Sequence, residues 1–249
     1  MRLTRLPILK ILARMQSSPG SRSSSPAYLA VIFDFEGTLV DFQWRLVPAQ
    51  DELRRAFAGL GFFGNEFSHG NYATMWNAAA DLRASQGGMA ELREALHPIY
   101  DRWDADALSR WAPRTGATEL LRRFAATGMR AGMVSNIGRK ALTAALNRFY
   151  FADLLLPVVS RDDVSFMKPR AEGILRVLAD WQLAPDAVLF VGDSRADVRG
   201  ARAAGVHVAI IRGGECVEAE FATDPPDHMI SHLGELIELV GGLQASSRT

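Results

Sequence analysis

The sequence predicts an α/β protein in which a Rossmann-like parallel sheet carries helices on both faces and an inserted, all-helical cap domain. Apolar runs of strand length recur along the chain and alternate with helical stretches, which is typical of a parallel sheet. One long segment after the first run has helical apolar spacing throughout, which predicts the insert. The 249 residues suffice for one large domain with a smaller insert.

The strands and helices of the core follow from these patterns. Strands are predicted at 29–33, 129–135, 187–191 and 206–211, with further short ones at 154–160 and from 229. Helices are predicted at 116–127, 139–150, 171–182, 196–204 and 233–240. The core is therefore expected to span residues 28–41 and 113–245.

The insert is expected to span residues 42–112 and to contain about three helices. Pro48 suits the first turn of the first helix, and Gly59 and Gly61 suit its end. Pro98 is expected to kink or split the last helix. The four tryptophans near or within the insert (Trp44, Trp76, Trp103 and Trp111) are interpreted as packing residues.

Residues 1–27 are interpreted as a disordered or targeting leader and are excluded from the fold. Five basic residues precede Asp34, the first acidic residue, and a tract rich in Ser and Pro covers 17–26. This composition is typical of organelle transit peptides, but a disordered extension or a start codon placed too far upstream would look the same. Organelle targeting therefore stays an alternative to a cytoplasmic location.

Composition excludes several classes of function. Lys plus Arg (28) equals Asp plus Glu (28), so we expect no nucleic-acid partner. Cys216 is the single cysteine and cannot form an internal disulfide, which suits a reducing compartment. No apolar run approaches the roughly 18 residues of a membrane span, so we expect no integral membrane association. The oligomeric state is not predicted.

Polar side chains follow the predicted core strands and should meet at one edge of the sheet. Asp34 and Glu36 follow the first strand, while Asp193 and Asp197 follow the strand at 187–191. Carboxylates that converge repel one another unless a cation joins them, and hard carboxylate oxygens select Mg²⁺. The pattern therefore predicts a Mg²⁺ cofactor.

The same residues suit phosphoryl transfer. Asp34 at a strand tip can act as a nucleophile that forms an aspartyl-phosphate, and Glu36 can act beside it as a general acid/base. Ser135 and Asn136, after the second strand, are uncharged phosphate donors. Lys168 can offset charge on the transferring group.

These stretches resemble the four motifs of the haloacid dehalogenase superfamily: DFEGTL at 34–39, VSN at 134–136, KP at 168–169 and FVGDSRADVRGARAAG at 190–205. The resemblance covers nearly everything from 29 to 213, and the insert looks like the small helical cap of phosphoglycolate phosphatase-like members.

The resemblance implies a role for each motif residue. It makes Asp34 the phosphoryl-accepting nucleophile and a Mg²⁺ ligand, and Glu36 the general acid/base whose backbone carbonyl also binds metal. Asp193 would be the remaining protein ligand, and Asp197 would support metal-bound water or Lys168. Thr38, Ser135 and Asn136 would hold the phosphate, while Lys168 would neutralise the nucleophile and the transferring group.

One departure from the pattern is Glu36, because most phosphatases of the superfamily have Asp there. Enolase-phosphatase-like members share the Asp-x-Glu-Gly-Thr pattern and are active, so Glu36 is interpreted as functional. The expected activity is Mg²⁺-dependent hydrolysis of a small phosphorylated metabolite through an aspartyl-phosphate. A phosphosugar mutase of the same fold and a catalytically weak phosphate-binding regulatory module are the alternatives.

Overall fold

The sheet has six strands, and every neighbouring pair is parallel. The computed structural model describes residues 28–84 and 86–241. The strands are β1 (Ala30–Phe33), β2 (Arg130–Val134), β3 (Val158–Val159), β4 (Val188–Gly192), β5 (His207–Ile211) and β6 (His228–Ile230). Their order is β3-β2-β1-β4-β5-β6, so the carboxyl ends of all six strands lie at one edge, with β1 between β2 and β4.

Both faces of this sheet are buried, which explains why its strands are continuous apolar runs. In β1, Val31 and Phe33 belong to the hydrophobic cluster on one face, and Ala30 and Ile32 belong to the cluster on the other. The predicted fold class is confirmed by this arrangement.

The strand predicted at 154–160 is the one that differs most, because only Val158 and Val159 pair with β2. Residues 152–155 form turns, and Leu155 is fully buried in the hydrophobic core. The apolar signal there came from a packed turn, not from a strand. Pro157, the residue before β3, has no N–H to donate to the hydrogen-bond ladder between β2 and β3.

The insert contains four helices: α1 (Leu46–Gly59), α2 (Asn65–His69), α3 (Tyr72–Ala84) and α4 (Met89–Leu108). The short α2 is additional to the three predicted helices. Pro48 lies in the first turn of α1, and Gly59 is its last residue, as predicted.

Of the two expectations for Pro98, a kink or a split, the split is wrong, because α4 runs unbroken through this residue. A proline inside a helix removes one hydrogen bond and costs about 3 kcal/mol. Leu96 and Tyr100 on either side are fully buried. Burial of this stripe offsets the local cost and keeps the helix continuous.

Helices cover both faces of the sheet. These are α5 (Ala117–Thr127), α6 (Arg139–Arg148), α7 (Glu172–Trp181) and α8 (Arg195–Ala203), followed near the end of the described chain by α9 (Leu236–Leu239). α5 and α6 pack into the same hydrophobic cluster as the insert, whereas α7 and α8 pack on the opposite face. The helix predicted at 233–240 is a 3₁₀ turn followed by the single turn of α9.

Two predictions are not tested by this fold. The leader at 1–27 lies outside the described residues, and the domain boundaries at 42 and 112 stay predictions. Across 28–84 and 86–241, no helix combines the length and the hydropathy needed to cross a bilayer.

Candidate functional site

The carboxyl edge of the sheet brings the predicted site residues together around one small cavity. Six of them line it: Asp34, Glu36, Ser135, Asn136, Lys168 and Asp193. Thr38 and Asp197 are fully buried. The cavity has a volume of only about 30 Å³. It is thus narrow, since ligand pockets usually measure several hundred cubic ångströms.

Lys168 is the cation at the centre of the site. Its Nζ donates to Asp34 Oδ1 at 2.5 Å and to Asp197 Oδ1 at 2.6 Å. Burial alone would lower the pKa of Lys168, but the carboxylates of Asp197 and Asp34 raise it above its ordinary value. Lys168 is therefore a permanent positive charge beside the nucleophile candidate.

Asp197 is fixed by the start of α8. Its Oδ2 accepts hydrogen bonds from the backbone N–H of Asp193 (3.1 Å) and of Ser194 (3.0 Å) and from Ser194 Oγ (2.7 Å). Ser194 is the N-cap of α8, and the two side chains form a capping box. Since Oδ1 contacts Lys168, both carboxylate oxygens of Asp197 are engaged. Asp197 thus positions Lys168 and the loop that carries Asp193.

Asp34, Asp193 and Asp197 each place a carboxylate oxygen within 4.8 Å of the others. Burial raises the pKa of Asp34 to about 6, with Lys168 opposing and Asp197 adding to the rise. Burial, followed by the charges of Asp197 and Asp34, raises the pKa of Asp193 well above its usual range. A divalent cation between these carboxylates would relieve that repulsion.

The backbone around Asp193 leaves room for this carboxylate only because two neighbours are glycines. A Cβ on Gly37, whose φ is +80°, would lie 2.0 Å from Asp193 Oδ2, and one on Gly214 would lie 2.1 Å from it. The backbone N–H of Glu215 donates to the same oxygen at 2.5 Å. This oxygen-rich, tightly packed set of donors fits a small hard cation such as Mg²⁺.

Asn136 and Thr38 make contacts that differ from simple phosphate binding. The side chain of Asn136 accepts from the backbone N–H of Lys168 (2.9 Å) and donates to its carbonyl (3.2 Å). Thr38 Oγ1 lies 3.5 Å from Asp193 Oδ1. Asn136 therefore holds the backbone of Lys168, and Thr38 lies against the carboxylate of Asp193. Their predicted phosphate contacts stay predictions.

Ser135 remains at the cavity wall. Its Oγ accepts the backbone N–H of Ile137 at 3.3 Å. The hydroxyl proton stays available to donate to an oxygen in the cavity. The predicted role of Ser135 in phosphate binding is compatible with this geometry.

Glu36 is held by one oxygen at the junction between sheet and insert. Its Oε1 accepts hydrogen bonds from the backbone N–H of Gln43 (2.8 Å) and Trp44 (2.7 Å) and from Trp111 Nε1 (2.7 Å). Burial raises the pKa of Glu36 to about 7, and the three hydrogen bonds, Trp111 first, limit the rise. With three donors on Oε1, a proton on this carboxyl resides on Oε2.

A buried ion pair joins the insert to the loop beside Asn136. Arg161 Nη1 donates to Asp104 Oδ2 at 2.8 Å, and each of these side chains is 1% exposed. The same Asp104 oxygen accepts the backbone N–H of Gly138 (2.9 Å), and its Oδ1 accepts Trp44 Nε1 (3.1 Å). One carboxylate of α4 therefore ties together the junction, the loop after β2 and the loop after β3.

Sequence reasoning missed several residues of this site. Trp111 is buried, as a packing residue should be, but it also bonds Glu36. Tyr72 of α3 and Glu215 after β5 line the cavity. Burial raises the pKa of Glu215 to about 7, assisted by Asp197 and Asp34. Glu215 had a readable signal, because it follows a core strand as Asp34 and Asp193 do.

Comparison with known proteins identifies the family. A family model described as haloacid dehalogenase-like hydrolase matches residues 31–211. The chain is 29% identical over 221 residues to a phosphoglycolate phosphatase of Yersinia pseudotuberculosis serotype I (strain IP32953), covering 86% of this chain and 94% of that protein. It is also 29% identical over 220 residues to the N-acetylmuramic acid 6-phosphate phosphatase of Pseudomonas aeruginosa, covering 85% and 94%.

A solved structure from Bacteroides fragilis, described as a haloacid dehalogenase-like hydrolase, superposes with a TM-score of 0.62 at 25% identity. It covers 84% of this chain and all of that one. The predictions of the family, of its fold and of a hydrolase are confirmed by these matches. The four motifs, their place at one edge of a parallel sheet and the family match over 31–211 together establish that this chain belongs to the haloacid dehalogenase-like hydrolase family.

Proposed function

We propose that this protein is a Mg²⁺-dependent phosphatase that hydrolyses a small phosphorylated metabolite through an aspartyl-phosphate on Asp34. The observation that carries the proposal is the buried arrangement in which Lys168 bonds Asp34 and Asp197 while Asp193 lies within 4.8 Å of both carboxylates. The names of relatives, phosphoglycolate phosphatase and N-acetylmuramic acid 6-phosphate phosphatase, support the same reaction class.

In the first half-reaction, a carboxylate oxygen of Asp34 attacks phosphorus and the ester P–O bond breaks. Lys168, fixed by Asp197, holds the Asp34 carboxylate and neutralises charge on the transferring group. Glu36 donates a proton from Oε2 to the leaving oxygen, and the alcohol departs. Ser135 donates to a phosphate oxygen.

In the second half-reaction, Glu36 accepts a proton on Oε2 from a water molecule whose oxygen attacks the phosphorus of the aspartyl-phosphate. The bond between Asp34 and phosphorus breaks, phosphate leaves and the Asp34 carboxylate is restored. A pKa of Glu36 raised to about 7 by burial suits both directions, since an efficient acid/base has its pKa near the working pH.

Asp34, Asp193 and the backbone carbonyl of Glu36 would hold the Mg²⁺ ion. When bound, the ion neutralises negative charge on the phosphoryl oxygens and on the two carboxylates. Asp197 acts through Lys168 and the α8 N-terminus, because both of its oxygens are engaged there.

In this arrangement the cavity is far smaller than a usual ligand pocket. Substrate entry therefore requires the insert to move away from the sheet edge, and its return excludes bulk water from the reaction. Tyr72 on α3 and Phe42 at the junction are the insert-side residues that line the cavity.

The test is phosphate release from a panel of monoesters that includes 2-phosphoglycolate and an aryl phosphate, with Mg²⁺ and with EDTA. The proposal expects release that EDTA abolishes and that Asp34→Asn lowers by at least about 10³-fold. Isomerised phosphosugar without free phosphate would instead identify a mutase. A near-zero rate that Glu36→Asp raises sharply would identify a regulatory module. Asp51→Asn, at an exposed site on α1, is the matched control.

A further inference from the structure

The wall of the cavity includes one carboxylate that the proposed reaction does not use. Glu215 lies in the loop after β5, and its side chain lines the cavity together with Asp34, Glu36 and Asp193. This loop is held directly against the site, since the Glu215 N–H donates to Asp193 Oδ2 and Gly214 has no space for a Cβ. Glu215 is thus placed at the site by backbone contacts.

The cavity wall has more carboxylates than cations, so Glu215 has no cation of its own and only shares the charge of Lys168. Among the described residues that line the cavity, Lys168 is the one cationic side chain, and its Nζ is already bonded to Asp34 and Asp197. Among the described residues, no hydrogen bond or ion pair engages the carboxylate of Glu215. Other acids in the same loop differ: Glu218, for example, pairs with Arg212 at 2.9 Å on the exposed surface.

A phosphate ester that enters when the insert moves away would bind among the side chains that line this cavity. The phosphate of an ester would occupy the end beside Lys168 and Asp34. Glu215 and Tyr72 line the same cavity, so the rest of the ester would lie close to them. A hydroxyl or ammonium group there would find an acceptor in Glu215, whereas a second carboxylate would meet a like charge.

Resting on the proposed phosphatase function, we infer that Glu215 determines substrate specificity. It favours monoesters of polyols and amino alcohols and disfavours monoesters that carry a carboxylate besides the phosphate. A relative's name includes phosphoglycolate, a carboxylate-bearing ester, so this chain would differ from that relative in substrate class.

The experiment compares three monoesters of similar size and different charge: 2-phosphoglycolate, 2-hydroxyethyl phosphate and O-phosphoethanolamine. We expect the wild-type kcat/KM to be lowest for 2-phosphoglycolate. At pH 8, where Glu215 is charged, Glu215→Gln should raise the ratio of 2-phosphoglycolate to 2-hydroxyethyl phosphate by about ten- to hundredfold, because it removes one like charge close to the ligand. It should lower the relative rate for O-phosphoethanolamine.

Glu218→Gln is the matched control, since it removes the same charge from the same loop outside the cavity. It should leave all three ratios within about twofold. Wild-type preference for 2-phosphoglycolate, or ratios that Glu215→Gln leaves unchanged, would overturn the inference while leaving the phosphatase proposal intact.

A binding measurement separates this inference from the proposed function. Calorimetric titration of the same three compounds into Asp34→Asn, with and without Glu215→Gln, reports charge selection without turnover. If no ester is hydrolysed by the wild type, the phosphatase proposal fails, and the binding ratios still decide the role of Glu215. Equal binding ratios with and without Glu215→Gln would overturn it.

Discussion

Replacing Arg161 by Met tests the buried ion pair that joins the insert, through Asp104 of α4, to the loop after β3. Arg161 and Asp104 are each 1% exposed, and Arg161 also donates to the carboxylate of Asp101. The variant leaves Asp104 buried with two N–H donors and no cation. Removing one partner of a buried pair costs about 3–5 kcal/mol, a large part of a typical unfolding free energy of about 5–15 kcal/mol.

The assay is urea unfolding followed by tryptophan fluorescence. Arg170→Met is the matched control, because Arg170 also pairs across the insert boundary, with Asp81, but both side chains are about half exposed (53% and 48%). An exposed pair contributes about 0–1 kcal/mol. Comparing the stability losses of the two variants therefore distinguishes the effect of a buried ion pair from that of an exposed contact between insert and core.

The change in unfolding free energy of the Arg161→Met variant should also depend on pH. Burial raises the pKa of Asp104, and Arg161 opposes that rise, so the Arg161→Met variant has an Asp104 pKa higher still. A buried carboxyl with a raised folded-state pKa costs stability above that pKa, and protonation removes the cost. The deficit of the variant should therefore be smaller at pH 5 than at pH 8. A loss below about 1 kcal/mol, or a deficit that grows at low pH, would refute the reasoning.

Three further predictions concern the site. Mg²⁺ affinity, measured by calorimetry, should fall as pH drops through about 6, because burial raises the pKa of Asp34 to about 6 and protons then compete with the ion. Trp111→Phe removes a hydrogen bond to Glu36, so the limb of the pH–rate profile set by Glu36, near pH 7, should move upward by about one unit. Gly37→Ala should weaken Mg²⁺ binding at least about tenfold, because its Cβ would displace Asp193.

Each of these has a contradicting outcome. A Mg²⁺ affinity that stays constant from pH 5 to 8 would show that protons do not compete with the ion. If Trp111→Phe leaves the limb of the pH–rate profile near pH 7 unchanged, ionisation of Glu36 does not determine that limb. Gly128→Ala is the control for Gly37→Ala, since Gly128 also has a positive φ (+75°) but open space around it; equal Mg²⁺ affinity in the two variants would show that Asp193 is not displaced.

The strands and the site could be predicted because they depend on local signals. β1 and β4 are apolar runs ending in Asp34 and Asp193, and a parallel sheet necessarily gathers such ends at one edge. The same logic covers Glu215 after β5, so that residue could have been found.

The remaining features depend on contacts between distant segments. Trp111 meets Glu36 across 75 positions of sequence, and Arg161 meets Asp104 across 57. No periodicity encodes such pairings, since they depend on how the insert packs on the sheet. The role of Asn136 also depends on a distant contact: its side-chain amide bonds the Lys168 backbone with both its oxygen and its nitrogen, whereas its position after β2 had predicted a phosphate contact.

The most direct test of the central claim is chemical trapping of the phosphoenzyme. The protein is mixed with a hydrolysed monoester and Mg²⁺, quenched in acid, reduced with borohydride and mapped by peptide mass spectrometry. The account predicts a modified Asp34 in the wild type and no modification in Asp34→Asn. Turnover with an unmodified Asp34, or with the phosphoryl group on another residue, would contradict it.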